Sequence, residues 1–175
     1  MLDLETPLII PSEITKSALR ESYLFSCKKD IELIKPGNVS MKSPHLDTTA
    51  EDYITSSVNS SNALFLKEYS LGERIFYAIN LTKEKVSVNT NLGIILLCAP
   101  IIHAFIYFKN KPLKDSIHNL ILETTEKDTM LICEAIQKAN PGGLGSSDKM
   151  DVKSIPRVNL HEIMSYSSKY DRISH

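Results

Sequence analysis

Three short polar stretches carry the residue types needed to hold a phosphorylated ligand. The first is KPGNVS, residues 35–40. Lys35 supplies a cation, Pro36 fixes one backbone angle, Gly37 allows close backbone approach, and Asn38 and Ser40 supply hydrogen bonds. The same Pro-Gly-Asn order also makes a tight interhelical turn that needs no ligand. The second is NTNLG, residues 89–93, where Asn89, Thr90 and Asn91 stand directly before an apolar run. Asn and Thr are good helix N-caps. A helix start also presents free amides and partial positive charge, which favour phosphate, and Gly93 would let a ligand sit against the first turn. Cap and ligand site are both open readings. The third is PGGLG, with Gly142, Gly143 and Gly145. It has neither the Gly-Lys-Ser/Thr ending of a Walker loop nor a GxGxxG pattern. It reads either as a helix stop or as a close backbone approach to a nucleotide.

Asp47, Asp52, Glu73, Asp128, Asp151 and Asp171 are the carboxylates that stand near expected helix ends or loops, where metal or acid/base work could use them. Most carboxylates on a helical surface are merely solvated, so position alone assigns none of them a role. The histidines form no HExxH pair, Asp115 and His118 read as a surface pair, and His103 reads as a hydrogen-bonded core residue. No nucleophile elbow is present, and Cys98 reads as core.

The elements that must position these residues are helical almost throughout. Ser12 after Pro11 has the character of an N-cap for a helix through Ile14, Ala18, Leu24, Phe25 and Ile31. Thr48-x-x-Glu51 has capping-box spacing ahead of a helix through Tyr53, Ile54, Ser57, Val58 and Leu64. Residues 71–81 form a third helix with Ile75, Ala78 and Ile79 inward, and KVSVNTN is a short connection, with room for a little extended structure. Seventeen residues from Leu92 to Phe108 then carry no formal charge unless His103 is protonated. A membrane span needs about 20 apolar residues. This run falls short and holds Pro100 and His103 near its middle. It therefore reads as a buried central helix, kinked or restarted at Pro100. Leu113, Ile117, Leu120 and Ile121 line a fifth helix. Thr125-x-x-Asp128 opens a sixth, through Leu131, Ala135, Ile136 and Ala139. Asn159-x-x-Glu162 opens a last helix that runs on towards His175.

The chain has 175 residues, 42% hydrophobic and 23% charged, with a net charge of −1. That is enough chain for one domain with a core, and it gives no electrostatic case for nucleic acid or an anionic membrane as partner. Cys27, Cys98 and Cys133 are odd in number and widely spaced, which argues against a disulfide framework or zinc site and fits a reducing cytoplasm. The first residues, MLDLETPLIIPSE, have no basic region and no signal-length apolar stretch. The expected fold is all-α: one multi-helical domain over residues 1–175 around a buried apolar central helix.

Taken in order, IKPGNVS, SLGERI, VNTNLGIILLCAPI, EAIQKANPGGLG, DV and YDRIS resemble the triphosphoribosyl-dephospho-coenzyme A synthases, from about Ser17 to the end. The resemblance implies an all-helical transferase acting on ATP and 3′-dephospho-coenzyme A. The triphosphoribosyl group of ATP would move to the acceptor ribose 2′-hydroxyl with release of adenine. The product would be the precursor of the prosthetic group of the citrate lyase or malonate decarboxylase acyl carrier protein. Lys35, Gly37, Asn38, Ser40, the helix start at Asn89, Thr90, Asn91 and Gly93, and Gly142, Gly143 and Gly145 would then meet the substrates. Mg²⁺ is expected with ATP, on one or two carboxylates; the chemistry the resemblance implies makes Glu73, Asp128 and Asp151 the candidates for metal or acid/base work, with Glu73 and Asp128 as candidate metal ligands. Members of the family continue past the DRI motif, so the domain is expected to be incomplete at its C-terminus. Apolar surface left open by that shortening would favour a homo-oligomer or a partner chain supplying the missing helices. Two other readings of these residues are a nucleotide-binding module without turnover and a related transferase on another ribosyl or pterin-pathway substrate.

Overall fold

The computed structural model describes residues 6–34, 39–43, 47–142, 144–145 and 149–169. Among these the fold is all-α. The helices are α1 (Lys16–Glu32), α2 (Ala50–Leu64), α3 (Leu71–Lys83), α4 (Leu92–Tyr107), α5 (Leu113–Leu122), α6 (Glu126–Ala139) and α7 (Leu160–Ser167), with a 3-10 turn at Val152–Ser154. No strand is present among the described residues, and the KVSVNTN connection holds no extended pairing. No helix among them is long and apolar enough to cross a membrane.

Side-chain hydrogen bonds fix the directions of the helices. Arg20 donates to Ser61 and Asn62, both at 3.0 Å, while Tyr23, one turn later on α1, pairs with Ser60 one residue earlier on α2. α1 and α2 are therefore antiparallel. The end of α2 meets the start of α3 through Arg74, which donates to the Leu64 carbonyl. The start of α2 meets the end of α3 through Asn91, which donates to both the Ser56 carbonyl and the Thr82 hydroxyl. α2 and α3 are thus antiparallel, and α4, starting at Asn91, runs back alongside α3. Before α1, the chain is held to the far end of α4 by Ile10 and Lys111 (N–H to carbonyl, 2.9 Å).

α3 is the central element. It packs against α2, α4 and α6, and it buries Leu71, Gly72, Arg74, Ile75, Ala78, Ile79 and Thr82. Its packing on α6 is the most extensive of any helix pair. Gly72 makes that possible, because a Cβ there would lie 2.5 Å from the Asp128 Cα and 2.6 Å from its carbonyl oxygen. This places the first turns of α3 and α6 side by side, and the two helices run in the same direction.

Several expectations are corrected. The central helix is α3, not the apolar α4. One side of α4 contributes Leu92, Ile95, Ala99 and Ile102 to the core, while Leu97 and Ile101 are exposed. α4 is apolar all round because its outer face borders a cleft, not because it is enclosed. It also passes through Pro100 as one helix without restarting. The N-cap of α1 is Thr15, whose side chain accepts from the Ala18 amide, and not Ser12. The α2 capping box is Thr49 with Asp52, one residue later than Thr48 with Glu51. α2 buries Ser56, Ser57, Ser60 and Ser61, each hydroxyl donating to a carbonyl three or four residues back, whereas Val58 is exposed. Internally satisfied serines let helices approach closely without leaving polar groups unpaired. The last helix opens at Asn159, as expected, and is assigned to Ser167; the YDRIS motif and Asp171 lie outside the described residues.

Candidate functional site

The helix directions gather one set of ends together: the C-termini of α1, α3 and α6 and the N-termini of α2 and α4. Asn89, Thr90, Asn91 and Gly93 stand at the centre of this end. Asn89 caps α4, its side-chain oxygen accepting from the Leu92 amide at 3.2 Å. The Thr90 and Ser56 hydroxyls pair at 2.6 Å. Asn91 reaches the Ser56 carbonyl at 3.3 Å and the Thr82 hydroxyl at 3.2 Å. Thr90 and Asn91 are buried, so they pin α2, α3 and α4 to one another and are not presented to solvent. What remains for a ligand is backbone. The amides of Gly93 and Ile94 belong to the first turn of α4 and have no intrahelical acceptor. No acidic residue in that turn offsets its partial positive charge.

Other candidate residues approach the same end. Ser40 is buried in a tight turn, paired with Ser43 through backbone hydrogen bonds of 3.1 Å, and the turn is tied to α1 by the Met41 amide on the Ile31 carbonyl. Lys35, Gly37 and Asn38 lie outside the described residues, as does Gly143. Past α6 the helix stop is Asn140, in the left-handed region at φ 50°, so Gly142 and Gly145 are not needed for it. A Cβ at either glycine would meet nothing within 4 Å. No protein packing accounts for them.

Glu73 and Asp128 lie at the opposite end, about 15 Å away along the α3 axis. They are the N3 partners of two adjoining capping boxes, Ser70-x-x-Glu73 and Thr125-x-x-Asp128. One Asp128 oxygen accepts from the Gly72 amide at 2.9 Å, and the other from the Thr125 amide at 3.0 Å and hydroxyl at 2.8 Å. Burial works to raise the Asp128 pKa, but the hydrogen bonds from Ser70, Thr125 and Gly72 outweigh it and hold the carboxyl below its ordinary range. Glu73 accepts from Lys127 at 2.8 Å and from the Ser70 amide at 3.1 Å, which also holds its pKa down. All four carboxylate oxygens thus already accept from the protein, and a metal ion on this pair would have to displace helix caps. Asp151 stands apart from that pair, towards the C-terminal end of α6. It caps the 3-10 turn through the Lys153 amide at 2.7 Å, beside the Cys133 and Gln137 side of α6. The structure therefore does not bring Glu73, Asp128 and Asp151 to one site, and no cluster of three or more metal-ligating side chains occurs among the described residues.

Of the other carboxylates near helix ends, Asp52 stands at the α4 end in the first turn of α2, where one of its oxygens accepts from the Thr49 amide and hydroxyl at 2.8 Å, and Asp47 precedes that cap by two residues. Asp52 is four residues from Ser56, which touches both Thr90 and Asn91. The one-residue shift of the capping box carries the signal in the sequence, since only Thr49-x-x-Asp52 makes Asp52 the reciprocal partner.

The ATP:dephospho-CoA triphosphoribosyl transferase family model, CitG, matches residues 16–175. No match to the chain is found among curated proteins or among solved structures. The matched span includes every helix among the described residues and all three polar stretches of the sequence. The chain therefore belongs to the ATP:dephospho-CoA triphosphoribosyl transferase family.

Proposed function

We propose that this chain moves the triphosphoribosyl group of ATP to the 2′-hydroxyl of 3′-dephospho-coenzyme A, releasing adenine. The observation that carries the reading is the family match across all the helices. The open first turn of α4 supports it. The bond from ribose C1′ to the adenine nitrogen breaks, and a bond from C1′ to the acceptor oxygen forms. The hydroxyl proton leaves the acceptor and adenine takes one up, so the step balances. Glycosyl transfer of this kind passes through an oxocarbenium-like state that nearby carboxylates stabilise.

In this reading the Gly93 and Ile94 amides and Lys35 meet the triphosphate, and Gly142, Gly143 and Gly145 let it approach the backbone. Asp52, and Asp47 ahead of it in the chain, are the carboxylates we assign to face the reacting ribose or to hold Mg²⁺ on the phosphates, supported by the position of Asp52 in the first turn of α2. Purified protein with ATP, dephospho-coenzyme A and Mg²⁺ should release adenine only when both substrates are present, read by chromatography. A folded protein that binds ATP and releases no adenine would leave the second reading, a nucleotide-binding module without turnover. The capped, remote positions of Glu73 and Asp128 favour that one. Lys35→Ala should weaken ATP binding by about 1.5–3 kcal/mol for a lost charged hydrogen bond, and Asn89→Ala should weaken it by loosening the first turn of α4, whose Leu92 amide it caps. Unchanged ATP binding in both variants would remove the phosphate cradle.

A further inference from the structure

A cleft of about 450 Å³ lies between α1 and the outer face of α4, and nothing in the transfer chemistry described so far uses it. Its α4 wall is Ile94, Cys98, Ile101 and Phe105, a single stripe starting one residue after Gly93. Its α1 wall carries Leu19, Tyr23 and Cys27, with Ser22 and Ser26 interleaved and Asp30 at the end nearest the α4 first turn. Because α1 and α4 are antiparallel, the cleft runs from the α4 first turn towards the Ile10–Lys111 end. From Ile94 to Phe105 it is about 16 Å long.

We infer that this cleft receives the pantetheine arm of the acceptor, an inference that rests on the proposed transferase reading. Dephospho-coenzyme A is a nucleoside diphosphate extended by a linear arm with two amides and a terminal thiol. That arm has roughly the reach of four extended residues, about 14 Å, which the cleft accommodates. An acceptor diphosphate lying beside the triphosphate, at the mouth of the cleft by Ile94, leaves the arm pointing along α4 into the cleft. The lining is mainly apolar, with a few hydroxyls along its length and one carboxylate, Asp30, at its mouth, which suits a chain of methylenes broken by two amides. Ser22 and Ser26 face that path. The Ser26 hydroxyl already donates to the Ser22 carbonyl, so its oxygen is left to accept an amide proton. Burial pushes Cys27 up to about 11 and also raises Cys98, so both thiols are neutral and present no charge to the arm. The arm also gives a reason for the open apolar face of α4, where Ile101 is exposed.

The test is alkylation of Cys27 and Cys98 by iodoacetamide at mildly alkaline pH, mapped by mass spectrometry, with buried Cys133 as the internal reference. The ligands are S-methyl-dephospho-coenzyme A, whose blocked sulfur does not consume the reagent, and ADP, which lacks the arm. The expected result is several-fold slower labelling of both cysteines with the S-methyl acceptor and no change with ADP. In parallel, Cys98→Trp, which fills the cleft, should raise KM for dephospho-coenzyme A and leave KM for ATP unchanged. Unaltered labelling while adenine release proceeds would remove the cleft assignment and leave the transferase reading intact. Equal protection by ADP would also overturn it. So would protection that grows with protein concentration without any ligand, which would mean that a second copy covers the cleft. Neither acceptor binding nor adenine release would overturn both.

Discussion

Among the described residues Arg74 is the largest fully buried side chain, and no carboxylate there forms an ion pair with it. Its guanidinium instead donates to the Leu64 and Tyr69 carbonyls, at and beyond the end of α2, where the helix dipole favours a cation. Burial lowers its pKa to about 10, so it stays charged at neutral pH. His103 faces the same region, its ring 4.6 Å from that of Tyr107 and its buried Nδ1 without a hydrogen-bond partner. Burial, and then the nearby Arg74 charge, push His103 down to about 4, against a smaller opposite pull from Asp128. The folded chain thus holds His103 neutral where the unfolded chain, with an ordinary value of 6.5, takes up a proton. The His103 contribution to stability is full above pH 6.5 and is lost as pH falls from 6.5 towards 4. Denaturant unfolding across that window should show declining stability. His103→Phe should flatten the decline, and an unchanged slope would show that other groups set it.

At the scale of elements, the contact that organises the bundle is the approach of α3 to α6 at Gly72. A methyl group there would overlap backbone atoms of Asp128, which cannot rotate away as a flexible side chain would. Alanine improves helix propensity over glycine by about 1 kcal/mol. Overpacking costs typically 1–3 kcal/mol, and here the two first turns must separate and strain the Gly72–Asp128 hydrogen bond as well. Gly72→Ala should therefore lower the unfolding free energy despite the better propensity, measured by urea titration. A stabilised variant would mean that the helices can part at little cost.

Across the whole molecule, two ends about 15 Å apart divide the work. One holds Arg74, His103 and the paired capping boxes of Glu73 and Asp128. The other holds the start of α4, with Asp47, Asp52 and the glycines after α6. Distant sites without shared partners are additive to within about 0.5 kcal/mol. Arg74→Met should accordingly lower the melting temperature, since it removes donors from two carbonyls, while the further stabilisation produced by saturating ATP stays the same. A smaller ATP increment in Arg74→Met would show that the two ends are coupled.

The helical class, the number of helices and their approximate bounds follow from local pattern, because capping residues and apolar spacing act within a few residues of chain. Thr125-x-x-Asp128 and Asn159-x-x-Glu162 were readable for that reason, and the ordered motifs made the family legible. Local pattern could not show which helix is central, because α4 has the most apolar sequence yet leaves one face open, while α3 takes the middle through a single glycine. Nor could it show that Glu73 and Asp128 lie away from Asn89 and Asn91. Near-neighbours in sequence become opposite ends in space when one helix separates them. The groups that Glu73 and Asp128 cap at Ser70 and Thr125 lie three residues away in the chain, as Thr49 does for Asp52. Only the tertiary structure brought the Gly72 amide and Lys127 onto their remaining oxygens and set the pair a helix length from the start of α4, with Asp52 at the other end, because side chains distant in sequence meet only when the helices pack.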